Sequence, residues 1–215
     1  MDDALTYKLA IFDFDGTLAD SFPWFASVLN DVADQFGFRR VETDAEVEML
    51  RGLRSRQIID HLGIPWWKLP LVARHMRRLA SKDIERLHLF PGIASMLDRV
   101  HAGGVRIAIV SSNTEANVRR VLGPAAARVE RYACGASLFG KAPRFRQVLD
   151  AAKVGPHEAL CIGDEMRDAE ASAKIGIPFG AVSWGFTRLD ALMTCAPREV
   201  FASADEIADA LLGRR

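Results

Sequence analysis

The stretch Leu9-Ala10-Ile11-Phe12-Asp13-Phe14-Asp15-Gly16-Thr17-Leu18 decides how this chain is read. Residues 9–14 are apolar up to Asp13, which reads as a strand buried on both faces. Asp13 and Asp15 stand at alternate positions, so on an extended segment both carboxylates point the same way. Gly16 lets the chain turn sharply behind them. Open parallel sheets bind ligands beyond the carboxyl ends of their strands, and this pair falls there. A plain Asp-Gly surface turn explains Asp15-Gly16. It gives no reason for a second carboxylate at the mouth of so apolar a strand.

Downstream, short apolar strands alternate with helices. Strands are expected over 105–110, 131–134, 159–162 and 179–182. Helices are expected over 92–102, 115–122, 144–152, 166–175 and 204–212, the last capped by Ser203. This alternation implies an α/β fold, a parallel Rossmann-like sheet flanked by helices. Residues 20–89 break the pattern and show no strand. Helices are expected there over 22–36 behind Ser21, over 55–62 up to Gly63, and over 71–86 behind Pro70. The block reads as an inserted all-helical cap domain. It divides the chain into a core of 1–19 and 90–215 and a cap of 20–89.

Composition narrows the function classes. A chain of 215 residues with 49% hydrophobic content can bury one sizeable core and a smaller module. Its zero formal net charge lacks the basic footprint of a nucleic-acid binder. Its apolar runs are too short to cross a membrane. Met1-Asp2-Asp3 is an acidic start, unlike a secretory leader. Cys134, Cys161 and Cys195 are widely spaced and form no CxxC, so reduced thiols and a cytoplasmic location are expected. Cys161, inside an apolar run, reads as a core residue.

The segment Asp13-Phe14-Asp15-Gly16-Thr17 resembles the first motif of the haloacid dehalogenase superfamily. Ser111, after the apolar run 107–110, is similar to the second motif. Lys141 in Gly140-Lys141-Ala142-Pro143 is similar to the third. Gly163-Asp164-Glu165-Met166-Arg167-Asp168, after the strand at 159–162, resembles the fourth. The resemblance covers essentially the whole chain. The cap position resembles the subgroup of phosphoglycolate phosphatases and β-phosphoglucomutases.

That resemblance implies hydrolysis of a small phosphomonoester through an aspartyl-phosphate. It makes Asp13 the nucleophile and Asp15 the general acid/base. Ser111 and Lys141 would hold the transferring group electrostatically. The implied cofactor is Mg2+, a hard ion suited to oxygen ligands, on the Asp13 side chain, the Asp15 carbonyl and Asp164. Asp168 would support the metal, with Glu165 a weaker candidate. Thr17, Ser112 and Asn113 are expected at the substrate. Blander readings stand beside these. Ser111 is also a natural helix N-cap, a job Asn113 could do instead. Lys141 is also a natural surface lysine, and Asp164 and Asp168 suit any helix N-terminus. The acid at Asp15 argues against dehalogenation and phosphonate cleavage, whose relatives lack it. A phosphomutase is the rival reading, and a non-catalytic phosphate-binding protein is a third.

The cap is where substrate choice is expected. Arg51-Gly52-Leu53-Arg54-Ser55 resembles the glycine-containing cap loop of relatives. Arg51 and Arg54 would there pair with a carboxylate or second phosphate of the substrate. Arg74, His75, Arg77 and Arg78 read as a solvated helix face. Trp66 and Trp67 read as packing for the cap core, and Trp184-Gly185-Phe186 as a segment approaching the cleft.

Overall fold

The structure, a computed structural model, describes residues 7–135 and 140–214. Met1, Asp2 and Asp3, read above against a secretory leader, lie outside the described residues. Strand β1 (Leu9–Phe12) is buried along its whole length. A turn leads to β2 (Ala19–Asp20) and then to four helices: α1 (Phe22–Phe36), α2 (Asp44–Leu50), α3 (Ser55–His61) and α4 (Leu69–Lys82). The chain returns through β3 (His88–Leu89), antiparallel to β2. It continues through α5 (Ile93–Ala102), β4 (Arg106–Val110), α6 (Glu115–Leu122), β5 (Arg131–Ala133) and α7 (Lys141–Ala152). Then come β6 (Ala159–Gly163), α8 (Met166–Ile175), β7 (Phe179–Val182), α9 (Leu189–Met193), β8 (Glu199–Phe201) and α10 (Ala204–Leu211).

Six strands form one parallel sheet in the order β5-β4-β1-β6-β7-β8. Leu9 pairs with Arg106 on one side and Ala159 on the other. The chain runs outward from β1 through β4 to β5, then crosses back to β6. The strand order therefore reverses beside β1, where such sheets open a crevice at their carboxyl ends. Alternate residues feed two layers. Ala10, Phe12, Ile107, Ile109 and Leu160 pack with Met96 and Leu97 of α5 and Ile207 of α10. Leu9, Ile11, Ala108, Val110 and Cys161 pack with Phe145 and Leu149 of α7 and Ala169 of α8. Burial on both faces explains why these strands read as unbroken apolar runs.

The segment between β2 and β3 has apolar clusters of its own. Trp24, Ala80, Ile84 and Leu87 form one, and Val41, Leu50 and Leu62 form another. Several details differ from the sequence reading. Helices α2 and α9, strand β8 and the two-residue pair β2–β3 were not expected. Helix α4 starts at Leu69 with Pro70 in its first turn, where proline is tolerated. It stops at Lys82, and a separate 3-10 turn covers Ile84–Arg86. Ser21 precedes α1, but its side chain makes no capping bond. Trp66 and Trp67 do not pack a core: they are 76% and 61% exposed and meet edge to face. No helix among the described residues is long and apolar enough to cross a membrane.

Candidate active site

Strand β1 delivers Asp13, buried, to the carboxyl edge of the sheet, and its N–H donates to the Ile162 carbonyl at 2.9 Å. Gly16, at φ +82°, reverses the chain just beyond. A Cβ at Gly16 would lie 2.2 Å from Oδ2 of Asp164, so the turn presses directly on that carboxylate. Thr17 then donates its hydroxyl to Asp164 Oδ1 at 2.7 Å. Thr17 was expected at the substrate. It is fully buried beneath Asp164, because the Gly16 turn folds it back. The other Asp164 oxygen accepts the Phe186 N–H at 2.8 Å. Gly185 backs the same residue, since a Cβ there would fall 2.1 Å from Asp164 Cβ. The segment 184–186 thus reaches the site, with Trp184 Nε1 donating to the Thr17 carbonyl at 3.2 Å.

Lys141 opens α7 and is buried, so the surface-lysine reading does not hold. Its Nζ lies 2.8 Å from Asp13 Oδ1 and 2.5 Å from Asp168 Oδ1. Burial alone would push the amine down. Asp13 and Asp168 outweigh it and hold the ammonium above its ordinary range. Asp164 is pushed well up by burial and by the carboxylates of Glu165, Asp13 and Asp168. Asp168 is also pushed up, by burial first, with Lys141 opposing. Asp13, Asp164 and Asp168 bring a carboxylate oxygen each to within 4.8 Å of one another. Three buried carboxyls crowd around one ammonium, and the upward push on Asp164 and Asp168 reflects that crowding of negative charge. Asp13 Oδ2 is buried with no hydrogen-bond partner. This crowded, all-oxygen donor set fits a hard divalent cation.

Asp15 opens toward a cavity of about 440 Å3 between sheet edge and cap. Burial and the Asp13 charge push its carboxyl up to about 6, against the opposing pull of Ser21, Asn113 and Arg167. Such a group can both give and take a proton near neutral pH. Asn113 Nδ2 faces both Asp15 oxygens at 3.3 and 3.4 Å. Ser111, fully buried at the end of β4, accepts the Asn113 N–H on its hydroxyl oxygen at 2.9 Å. Neither residue caps α6. Thr114 does, accepting the Asn117 N–H.

A family model described as haloacid dehalogenase-like hydrolase matches residues 10–182. The chain belongs to this family. A phosphoglycolate phosphatase of Synechococcus elongatus is 30% identical over 94% of this chain and 95% of its own length. Tyrosine-protein kinase PtkA of Mycobacterium tuberculosis is 26% identical, over 95% of this chain and 72% of its own. The solved structure of a haloacid dehalogenase-like family hydrolase from Streptococcus pneumoniae aligns with a TM-score of 0.76 at 19% identity. It covers 94% of this chain and 97% of that one, a likeness of fold.

In this haloacid dehalogenase-like hydrolase the carriers of all four motifs converge at one edge of the sheet. The cap arginines expected at the substrate are placed otherwise. Arg51 lines the cavity but spends its guanidinium on the Phe186 carbonyl at 3.0 Å, the Gly185 carbonyl at 3.1 Å and Glu48 at 2.7 Å. Arg54 is half-exposed and pairs with Glu170 of α8. Both therefore join the helical segment between β2 and β3 to the rest of the chain. Two other arginines face the cavity. Arg77, read as solvated, points its Nη1 at the Ser112 carbonyl at 3.4 Å, while Arg74 and Arg78 are exposed. Arg167 was quoted within the fourth motif but given no role. Its Nη2 meets Glu165 at 2.5 Å and its Nε is buried without a partner. With its carboxylate on Arg167, Glu165 is poorly placed to serve a metal.

Proposed function

We propose that this hydrolase is a phosphatase that moves the phosphoryl group of a small phosphate monoester onto Asp13 and then onto water, with Mg2+ as its cofactor. Family membership and the phosphoglycolate phosphatase relative support a phosphoric monoester hydrolase. The observation that carries the finer reading is the buried Lys141–Asp13 pair two residues from Asp15, which opens into the cavity. The Asp13 carboxylate attacks phosphorus as the ester P–O bond breaks. The departing alkoxide takes the proton of the Asp15 carboxyl. Water then attacks the phosphorus of the aspartyl-phosphate, giving its proton to Asp15, and Asp13 leaves as a carboxylate. Lys141 offsets charge on the nucleophile, and the Ser111 hydroxyl donates to a phosphoryl oxygen. Asp13, the Asp15 carbonyl and Asp164 would hold the metal, with Asp168 in support. Bound there, Mg2+ offsets the negative charge that gathers when an anionic nucleophile meets an anionic phosphoryl group.

We read 20–89 as a cap domain closing over this site, a division supported by its separate apolar clusters. We place the activity in the cytoplasm, which the three free thiols support. The test is acid-quenched mass spectrometry of the protein turning over p-nitrophenyl phosphate with Mg2+. Wild type should show a phosphoryl adduct on the Asp13 peptide, and Asp13→Asn should show neither adduct nor turnover. A variant with near-normal rate would remove Asp13 as the nucleophile.

A further inference from the structure

The cavity above Asp15 has two unlike ends. Its charged lining side chains are Asp15, Arg51, Arg77, Glu165 and Arg167. Three of these belong to the core, and Arg51 and Arg77 bond to core carbonyls, so the charge gathers at the catalytic end. Ser112, Asn113, Met166, Phe186 and Thr187 of the core complete that end, and most of the remaining lining is apolar and comes from residues 20–89, with Phe25 and Leu29 of α1, Val47 and Leu50 of α2, Ile58 of α3 and Met76 of α4. Asn30, also on the lining, turns both ends of its amide to the Val41 backbone, at 2.8 and 2.9 Å. Members of both apolar clusters line this space, Trp24 and Ala80 from one and Val41, Leu50 and Leu62 from the other. Protein interiors rarely keep voids much larger than a water molecule, because lining atoms lose their contacts. A cavity of about 440 Å3 between the four helices and the sheet edge is the size of a ligand pocket and is open to the reacting group.

Resting on the phosphatase reading above, we propose that this chamber seats the substrate's leaving group, and that the substrate is the phosphate monoester of an alcohol with an apolar alkyl or aryl body. A second acidic group would meet only Arg77 and Arg167, which stand at the catalytic end, and no cation along the apolar half of the lining, since Arg51 is committed to the cap–core seam and Arg54 lies off the cavity. A sugar body would leave its hydroxyls facing aliphatic side chains, at the cost of unpaired polar groups. An apolar body replaces the void with contact.

The experiment uses the full chain with Mg2+ and a series of n-alkyl phosphates from methyl to hexyl, with phosphoglycolate beside them. Each methylene buried should raise kcat/KM by up to about fourfold, and the whole series by on the order of a hundredfold. Phosphoglycolate should fall below hexyl phosphate. A flat series, or phosphoglycolate as the better substrate, overturns the proposal. A binding arm separates it from the phosphatase reading. Titration calorimetry of Asp13→Asn with methyl and hexyl phosphate should show tighter binding and a negative heat-capacity change for the longer ester. Length-dependent binding with no phosphate released by wild type from any ester, p-nitrophenyl phosphate included, keeps the chamber and ends the phosphatase reading. Phosphate release without length dependence does the reverse. Ala73→Phe and Ile58→Trp fill the chamber from different helices, so one misfolded variant leaves the other. In a folded variant the hexyl-to-methyl ratio of kcat/KM should fall at least tenfold, and an unchanged ratio counts against the chamber.

Discussion

Asp164 is gripped on every side, by the Thr17 hydroxyl, the Phe186 N–H and the bare backbones of Gly16 and Gly185. Adding a methyl at Gly185 forces a backbone shift against a buried carboxylate. We expect Gly185→Ala to cost about 1–3 kcal/mol, as overpacking does. For a chain of this length that lowers Tm by about 2–4 °C per kcal/mol. Thermal melts with and without Mg2+ check both stability and site. Wild type should gain about 2.7 kcal/mol at a hundredfold excess over Kd. The variant should gain clearly less, and an equal gain would show that Asp164 is not a ligand. Arg167 is the other exacting position. It lines the cavity with its Nε buried and unpartnered, and a charge-assisted contact from such a donor to a phosphoryl oxygen is worth about 1.5–3 kcal/mol. Arg167→Met should therefore cut kcat/KM on p-nitrophenyl phosphate at least tenfold when assayed well below its melting point, with Tm also lowered because the Glu165 carboxylate loses its partner. A normal rate would mean that this guanidinium serves only Glu165.

Helix α2 was written in the sequence and passed over. Thr43-Asp44-Ala45-Glu46 has the sequence of a capping box: Thr43 Oγ1 accepts the Glu46 N–H at 3.1 Å, while Glu46 reaches one residue further back, to the Glu42 N–H at 3.2 Å. The helix has seven residues and one buried side chain, Leu50, so its apolar period was too thin to register. Thr43→Ala should cost about 1 kcal/mol, read by denaturant titration, and no loss would mean that the cap bond is idle. Helix α4 carries a similar lesson. Ala73, Met76, Arg77 and Ala80 all line the cavity at i, i+3, i+4 and i+7 spacing. That stripe puts Arg77 among inward positions and Arg74 outside it, a distinction lost when the four basic residues were taken as one face. Strands β2, β3 and β8 have two or three residues each, too few to show a period.

The helical segment between β2 and β3 meets the rest of the chain along a seam built on the segment 185–188. The Arg188 N–H donates to the Arg51 carbonyl at 3.0 Å, and Phe186 meets Phe22 and Phe25 with ring centroids 5.1 and 5.5 Å apart. Arg51 is the polar centre of this seam. Arg51→Ala should raise amide hydrogen exchange across α2 and α3 and lower kcat/KM for charged and neutral esters alike. Loss confined to esters with a second acid would instead return Arg51 to the substrate. Arg54→Ala removes only a half-exposed pair, a type worth about 0–1 kcal/mol, so rates on every ester should stay within about twofold of wild type.

The parallel sheet, the helical block after the first strand and the gathering of Asp13, Asp15, Ser111, Lys141 and Asp164 followed from the sequence alone. Strand burial writes itself as local apolar runs, and each of these residues sits at the end of one or at the start of a helix. Only the tertiary structure decided what the remaining polar groups do. Thr17 turned under Asp164, 147 positions away, and Arg51 found carbonyls 134 and 135 positions along the chain. The cavity likewise draws its lining from two apolar clusters of the helical segment and from the sheet edge together, which no single helix records. Hydrogen-bond partners and voids are properties of surfaces brought together by folding, and periodicity along one element carries no trace of the element it will meet.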